Sequence, residues 1–137
     1  KDKDNKITIQ ASTAKDPAYR HKYSSTKKNI DFDPKLGLRF FRHRSDTEPS
    51  YNSPTSMLSH EMFHAINDLY DNPGYIDRIR TPTDEGKLDG GQFDNMEEFN
   101  VTIYQQGRAN AKLGEPDRTH YGGQYIQFPS PTAKRPK

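Results

Sequence analysis

With 137 residues, only 29% of them hydrophobic, the chain fits one loop-rich domain built around a small core. Its net charge of +2 and pI of about 8.7 arise from mixed charges without a basic stripe, so nucleic acid is not an expected partner. No apolar run is long enough for a membrane span, and the absence of cysteine excludes disulfides, thiolate zinc sites and cysteine nucleophiles while leaving the compartment open. The chain opens on Lys1-Asp2-Lys3 without Met or a signal peptide, which reads as a fragment of a longer protein.

In chain order, residues 1–5 are a charged tail, and Ile7–Gln10 reads as a short strand. Residues 13–28 are polar, a loop with room for one short strand. Asn29–Asp33 and Leu36–Arg42 read as two strands joined by a turn at Asp33-Pro34-Lys35. The second of these has two readings of equal weight: a sheet edge on which an extended substrate adds as a further strand, or an ordinary core strand.

After a polar loop over residues 44–53, Ser53 is a good N-cap and Pro54 a good first helical residue. The helix is expected to run to about residue 70, with Leu58, Met62, Ala65, Ile66 and Leu69 as its apolar stripe. Met57, His60, Glu61, His64 and Asp68 share an adjacent, more polar face, and Asp71-Asn72-Pro73-Gly74 ends the helix. Residues 72–93 read as a long loop. Asp94-Asn95-Met96-Glu97 resembles a capping box that starts a second helix near Asn95. A short helical stretch around Arg108–Leu113 is stopped by Gly114 and Pro116, a turn-rich segment follows over 117–123, and residues 128–137 read as a flexible tail.

The chemistry concentrates in His60-Glu61-Met62-Phe63-His64. Residues i and i+4 share one face of a helix, so both imidazoles can reach one metal ion while Glu61 reaches a water beside it. A catalytic zinc site requires a third protein ligand. Asp68 is out of reach, because His60 to Asp68 spans roughly 12 Å along a helix, and reads as solvent-facing or as a support beside the ligands. Asn67 and Tyr70 exclude the metzincin pattern H-E-x-x-H-x-x-G-x-x-H. Of the downstream carboxylates, Glu85 lies in a Gly-rich loop and Glu115 between Gly114 and Pro116, both poor places for a rigid ligand. Glu97 and Glu98 open the second helix; one can bind the metal while the other orients a histidine. His120, His21 and His43 read as surface or strand residues.

The order of these motifs, followed by Arg118-x-x-Tyr121, is similar to the layout of clostridial neurotoxin light chains. The closer resemblance is to NleD-like type III effector zinc metallopeptidases, carried by His60-Glu61-x-x-His64-Ala65, the Glu97-Glu98 pair and Leu113-Gly114-Glu115-Pro116-Asp117-Arg118-Thr119-His120-Tyr121. Related domains occur at the toxic C-termini of bacterial polymorphic toxins. The resemblance covers roughly residues 30–125; Phe99-Asn100-Val101-Thr102 departs from it, standing where a more basic sequence is expected.

The resemblance implies a gluzincin: zinc held by His60, His64 and Glu98, Glu97 beside it or as the alternative ligand, and Glu61 as general base. Arg118 and Tyr121 then assist the transition state, where a phenol aimed at the developing oxyanion is worth a few kcal/mol. It further implies a monomeric secreted effector or toxin delivered to a host cell's cytosol to cleave a signalling protein such as a stress-activated MAP kinase. An antibacterial toxin or a non-catalytic zinc module are the competing readings. The fold expected is α+β and zincin-like: one domain over residues 1–137, with a small twisted sheet packed on the H-E-x-x-H helix.

Overall fold

The computed structural model describes residues 6–89 and 91–136, so the expected tail at residues 1–5 lies outside the described residues. The chain is α+β. Its strands are β1 (Thr8–Ala11), β2 (Lys22–Ser24), β3 (Asn29–Phe32), β4 (Leu36–Phe40), β5 (Ser50–Asn52) and β6 (Gln124–Gln127). Its α-helices are α1 (Pro54–Tyr70), α2 (Asn72–Ile79), α3 (Met96–Asn100) and α4 (Gln106–Leu113). Among the described residues no helix is long and apolar enough to cross a membrane.

Among the described residues the strands form two three-stranded sheets in place of the single one expected, with orders β1-β3-β2 and β5-β4-β6. The turn at Asp33–Lys35 is where they part: Asp33 Oδ1 accepts the Lys35 N–H at 2.9 Å, and the chain leaves the first sheet to start the second. β4 is paired on both sides, antiparallel to β5 and to β6, so it has no free edge for a substrate. Of its two readings, the core strand holds. Leu36, Leu38 and Phe40 are each 2% exposed, and burying such side chains stabilises by roughly 1.5–3 kcal/mol apiece.

Helix α1 lies between both sheets. Ala65 packs with Tyr23, Ile30 and Tyr75 on one side, and Met57 with Leu38 and Phe40 on the other. Its buried face differs from the stripe expected from periodicity. Met62 and Ile66 are each 42% exposed, whereas Met57, His60, His64 and Asp68, spaced three or four apart, are buried. His60 and His64 are buried through polar partners on the helices over residues 96–113, and Asp68 through Tyr23, Lys28 and Asn72.

That second helical run is longer than expected. α3, a π-helical turn at Val101–Gln105 and α4 follow one another without a break. A regular α-helix rotates each four-residue step by about 40°. The wider π turn offsets this drift, so Glu98, Thr102, Gln106 and Asn110 all bond to α1. Gly114 ends the run in the left-handed region, at φ 68°.

Three further expectations are corrected. The segment from 72, expected as loop, begins with helix α2: Pro73 has no N–H to leave unpaired in a first turn, and Tyr75 N–H bonds back to the Asp71 carbonyl at 2.8 Å. The segment from 128, expected as a flexible tail, touches the domain at Phe128 and Pro131 while most of its other side chains are exposed. Phe128 is 1% exposed, and the Pro131 carbonyl accepts the Thr55 N–H at 3.0 Å, meeting one of the orphan donors at the start of α1. His120 and His21 are buried, each donating its Nε2–H to a backbone carbonyl, that of Phe41 (2.6 Å) and of Leu36 (2.7 Å) respectively. His43 is exposed, as expected.

Glu115, set aside as a ligand, has a capping role. Its carboxylate accepts the Ser53 N–H at 2.7 Å and the Ser53 hydroxyl at 2.6 Å, placing negative charge at the N-terminus of α1, where the helix dipole favours it.

Candidate metal centre

His60 and His64 project from consecutive turns of α1 with their Nε2 atoms 3.0 Å apart. The Glu98 carboxylate meets both rings: one oxygen lies 3.0 Å from His60 Nε2 and the other 3.0 Å from His64 Nε2. The local cause is the cap of α3. Asn95 Oδ1 accepts the Glu98 N–H at 2.9 Å, fixing the first turn so that Glu97 and Glu98 diverge.

The remote nitrogen of each ring is spoken for. Gln106 donates its amide NH2 to the Ser56 carbonyl and hydroxyl, which leaves its oxygen to accept His60 Nδ1–H at 3.1 Å. Glu97 Oε2 accepts His64 Nδ1–H at 3.0 Å. With that tautomer both Nε2 lone pairs face the Glu98 oxygens, a cluster of acceptors that could hold a cation. Donors about 2.0–2.1 Å from a tetrahedral zinc lie roughly 3.3 Å from one another, close to the separations seen here. His60, Glu61 and His64 together offer ligand atoms within 4.8 Å of one another, and the donor set of nitrogen and oxygen suits zinc.

Glu97 does not share this role. Its Oε1 accepts from Arg78 Nε at 2.7 Å, and its Oε2 accepts from Asn67 Nδ2 at 2.9 Å as well as from His64. It is 1% exposed and held ionised: burial opposes the charge, but the bonds from His64, Asn67 and Arg78 outweigh it and lower its pKa. The same balance depresses Glu98, where the two histidines outweigh burial. In the metal-free protein His64 is the counterpart. Burial lowers it, yet the bonds to Glu97 and Glu98 win and raise it to about 10, so a proton stands in for the cation at neutral pH.

Glu61 lies beside this centre, one carboxylate oxygen 3.8 Å from His60 Nε2. Its other oxygen accepts the backbone N–H of Tyr23 at 2.6 Å. Tyr23 lies in β2, paired with β3 on one side only, and this N–H points away from the sheet toward the centre. The strand edge bordering the cleft is thus β2, in a segment read from sequence mainly as loop.

Asp68, read as solvent-facing or beside the ligands, does neither. It is 2% exposed and accepts from the Tyr23 hydroxyl (2.6 Å), Lys28 Nζ (2.8 Å) and Asn72 Nδ2 (2.6 Å). It clamps the β2–β3 turn onto α1, and so sets where the Tyr23 N–H stands.

Tyr121 lines the same cleft of about 330 Å³ as Glu61, His64, Glu98 and Tyr75. Its pKa is pushed up by burial first and by Glu98 second, so the phenol keeps its proton. Arg118 is 5% exposed and does not line the cleft. It donates from Nη2 to the Tyr121 carbonyl at 3.2 Å, with its guanidinium 5.7 Å from the Tyr121 ring centroid. It positions Tyr121 from behind. The loop after α2 grips the same residue, Tyr121 N–H donating to the Gly91 carbonyl at 2.8 Å; a Cβ on Gly91 would collide with the Gly122 backbone.

Sequence reading missed Tyr23, Arg78, Asn67 and Gln106. Only their spatial placement marks them, since a lone Arg or Gln at such separations carries no motif. Compared with family models, curated proteins and solved structures, the chain has no match.

Proposed function

We propose that this domain is a zinc-dependent endopeptidase of zincin type. The observation that carries the reading is the convergence of His60 Nε2, His64 Nε2 and both Glu98 oxygens at 3.0 Å, with the Glu61 carboxylate 3.8 Å from the His60 nitrogen. A structural site has no use for that extra carboxylate; a hydrolytic one does.

His60, His64 and Glu98 hold the ion. When bound, zinc supplies a Lewis acid that brings the pKa of a bound water to about 7 and polarises the scissile carbonyl. Glu61, fixed through its other oxygen by the Tyr23 N–H, takes the proton from the attacking water and passes it to the leaving amine. Tyr121, kept protonated, donates to the oxyanion, and Arg118 holds it in place.

The resemblance of the motif order extends the proposal to a secreted bacterial effector that cleaves a host signalling protein, a stress-activated MAP kinase being one such substrate. An antibacterial toxin has identical chemistry; a neighbouring immunity gene favours it, and a neighbouring secretion chaperone favours the effector.

The test is mapping of newly formed protein termini in cells expressing wild type or Glu61→Ala, with zinc content measured on both purified proteins. New termini with wild type alone, at equal zinc content, are expected. The same termini in both would overturn the mechanism.

A further inference from the structure

A second groove, about 450 Å³, opens on the other side of the segment that carries Tyr121. It lies at the end of the β4–β6 ladder, beyond the register pair Arg39–Gln124. His120 and Gly122 form one wall and Arg39, Phe41 and Arg44 the other. The walls are clipped together: His120 Nε2 bonds the Phe41 carbonyl at 2.6 Å, and the Thr119 hydroxyl donates to the Arg42 carbonyl at 2.7 Å.

Its charge is opposite to that of the metal cleft. Arg39 and Arg44 have no carboxylate partner within ion-pair distance among the described residues, whose arginine ion pairs are those of Arg20 and Arg78. The one acidic residue in the lining, Asp46, accepts the backbone N–H of His43 at 3.0 Å in its own loop. The Arg39 guanidinium lies 5.1 Å from the Phe41 ring centroid, a contact that orders the cation without neutralising it. Two guanidiniums without carboxylate partners in a walled groove suit an anion, because the planar fork matches carboxylate and phosphate oxygens.

We propose that this groove is a specificity subsite for an anionic side chain, carboxylate or phosphate, of the polypeptide substrate. This rests on the endopeptidase reading. Tyr121 faces the metal cleft and Gly122 the groove. An extended chain crossing Tyr121 at about 3.3 Å per residue therefore enters the groove within a few residues of the scissile bond. A polynucleotide does not fit this charge pattern: its phosphates require a continuous basic track, and here Glu61, Asp94, Glu97 and Glu98 line the adjoining cleft.

The experiment is cleavage of a proteome-derived peptide library by the zinc-loaded full chain, with cut sites read by mass spectrometry. Matched peptides then carry Glu, phosphoserine, Gln or Lys at the position the library selects. The expected result is enrichment of acidic residues at one fixed distance from the cut. Glu or phosphoserine should raise kcat/KM at least about tenfold over Gln, and whichever is larger names the anion. Arg44→Glu should shift the preference from Glu toward Lys, with zinc content and Tm confirming a folded protein. Cleavage with no acidic preference, or a preference unchanged in Arg44→Glu, overturns the subsite and leaves the endopeptidase reading intact. No cleavage of any peptide overturns both.

Discussion

Arg78 Nε donates to Glu97 Oε1 at 2.7 Å, and the other oxygen of the same carboxylate accepts His64 Nδ1–H at 3.0 Å. A cation from α2 is thus linked through a buried carboxylate to one of the candidate ligands. The chain of bonds fixes which nitrogen of His64 carries hydrogen and leaves Nε2 for the proposed metal.

Arg78→Ala removes the anchor of this chain. Zinc affinity is expected to fall about 10–100-fold, measured by competition with a chromophoric chelator, while Glu61-dependent cleavage persists at saturating zinc. Unchanged affinity would show that Glu97 is held well enough by Asn67 alone.

The two adjacent glutamates separate cleanly. Glu98→Ala should lose stoichiometric zinc, because both of its oxygens face the ring nitrogens. Glu97→Gln should keep zinc with weakened affinity, since an amide still accepts from His64 but receives no charge-assisted bond from Arg78. Atomic absorption on the dialysed proteins decides, and zinc loss confined to the Glu97 variant would reverse the assignment.

On the proposed reading, protons and zinc compete for His64. Because its pKa in the metal-free protein is about 10, zinc binding at pH 7 should release about one proton. Calorimetry in buffers of different ionisation enthalpy reads this directly. The sign for stability follows from the same shift. Raised above an unfolded value near 6.5, His64 contributes stability that is full below that pH and is lost as pH rises toward about 10. Glu98, shifted down, contributes stability above about pH 4.3 that is lost on acidification. Urea titrations of chelator-treated protein across pH 4–10 should therefore show a plateau falling at both ends, and zinc should flatten the alkaline limb.

Asp68 has three donors, and losing one leaves a buried carboxylate short of a partner. Tyr23→Phe should destabilise by about 1–3 kcal/mol, read as a shift in the urea midpoint. Because the lost bond also locates β2, cleavage activity should fall more than the stability change alone explains. Full activity in a destabilised Tyr23→Phe protein would show that the Tyr23 N–H does not depend on that anchor.

Phe128→Ala tests the packing of the C-terminal segment. A fully buried phenylalanine truncated to alanine costs about 3–5 kcal/mol, whereas a residue in a free tail would cost nothing. Chemical denaturation separates the two.

The elements most legible in the sequence were those with a local cause. Ser53-Pro54 starts α1, Asn95 caps α3 and Gly114 ends α4, each because a single side chain or backbone conformation satisfies the neighbouring turn. Helix α2 was hidden behind Asn72-Pro73-Gly74, since Pro and Gly punctuate turns and also fit a helix's first turn. The buried face of α1 was misjudged because periodicity registers apolar residues. His60, His64 and Asp68 are buried through polar partners on distant elements, which no local pattern records.

For the candidate centre, sequence alone determined the helical spacing of His60, Glu61 and His64 and the placing of Glu97 and Glu98 in one first turn. Covalent order and helix geometry suffice for both. The tertiary structure decided that Glu98 faces the Nε2 atoms of both rings and that Glu97 bridges His64 Nδ1 and Arg78. It also decided that Asp68 holds a strand and that Tyr23 offers its backbone to Glu61. These choices depend on how α2, β2 and the helices over 96–113 pack around α1, and packing is settled by long-range burial and hydrogen-bond satisfaction across the whole domain.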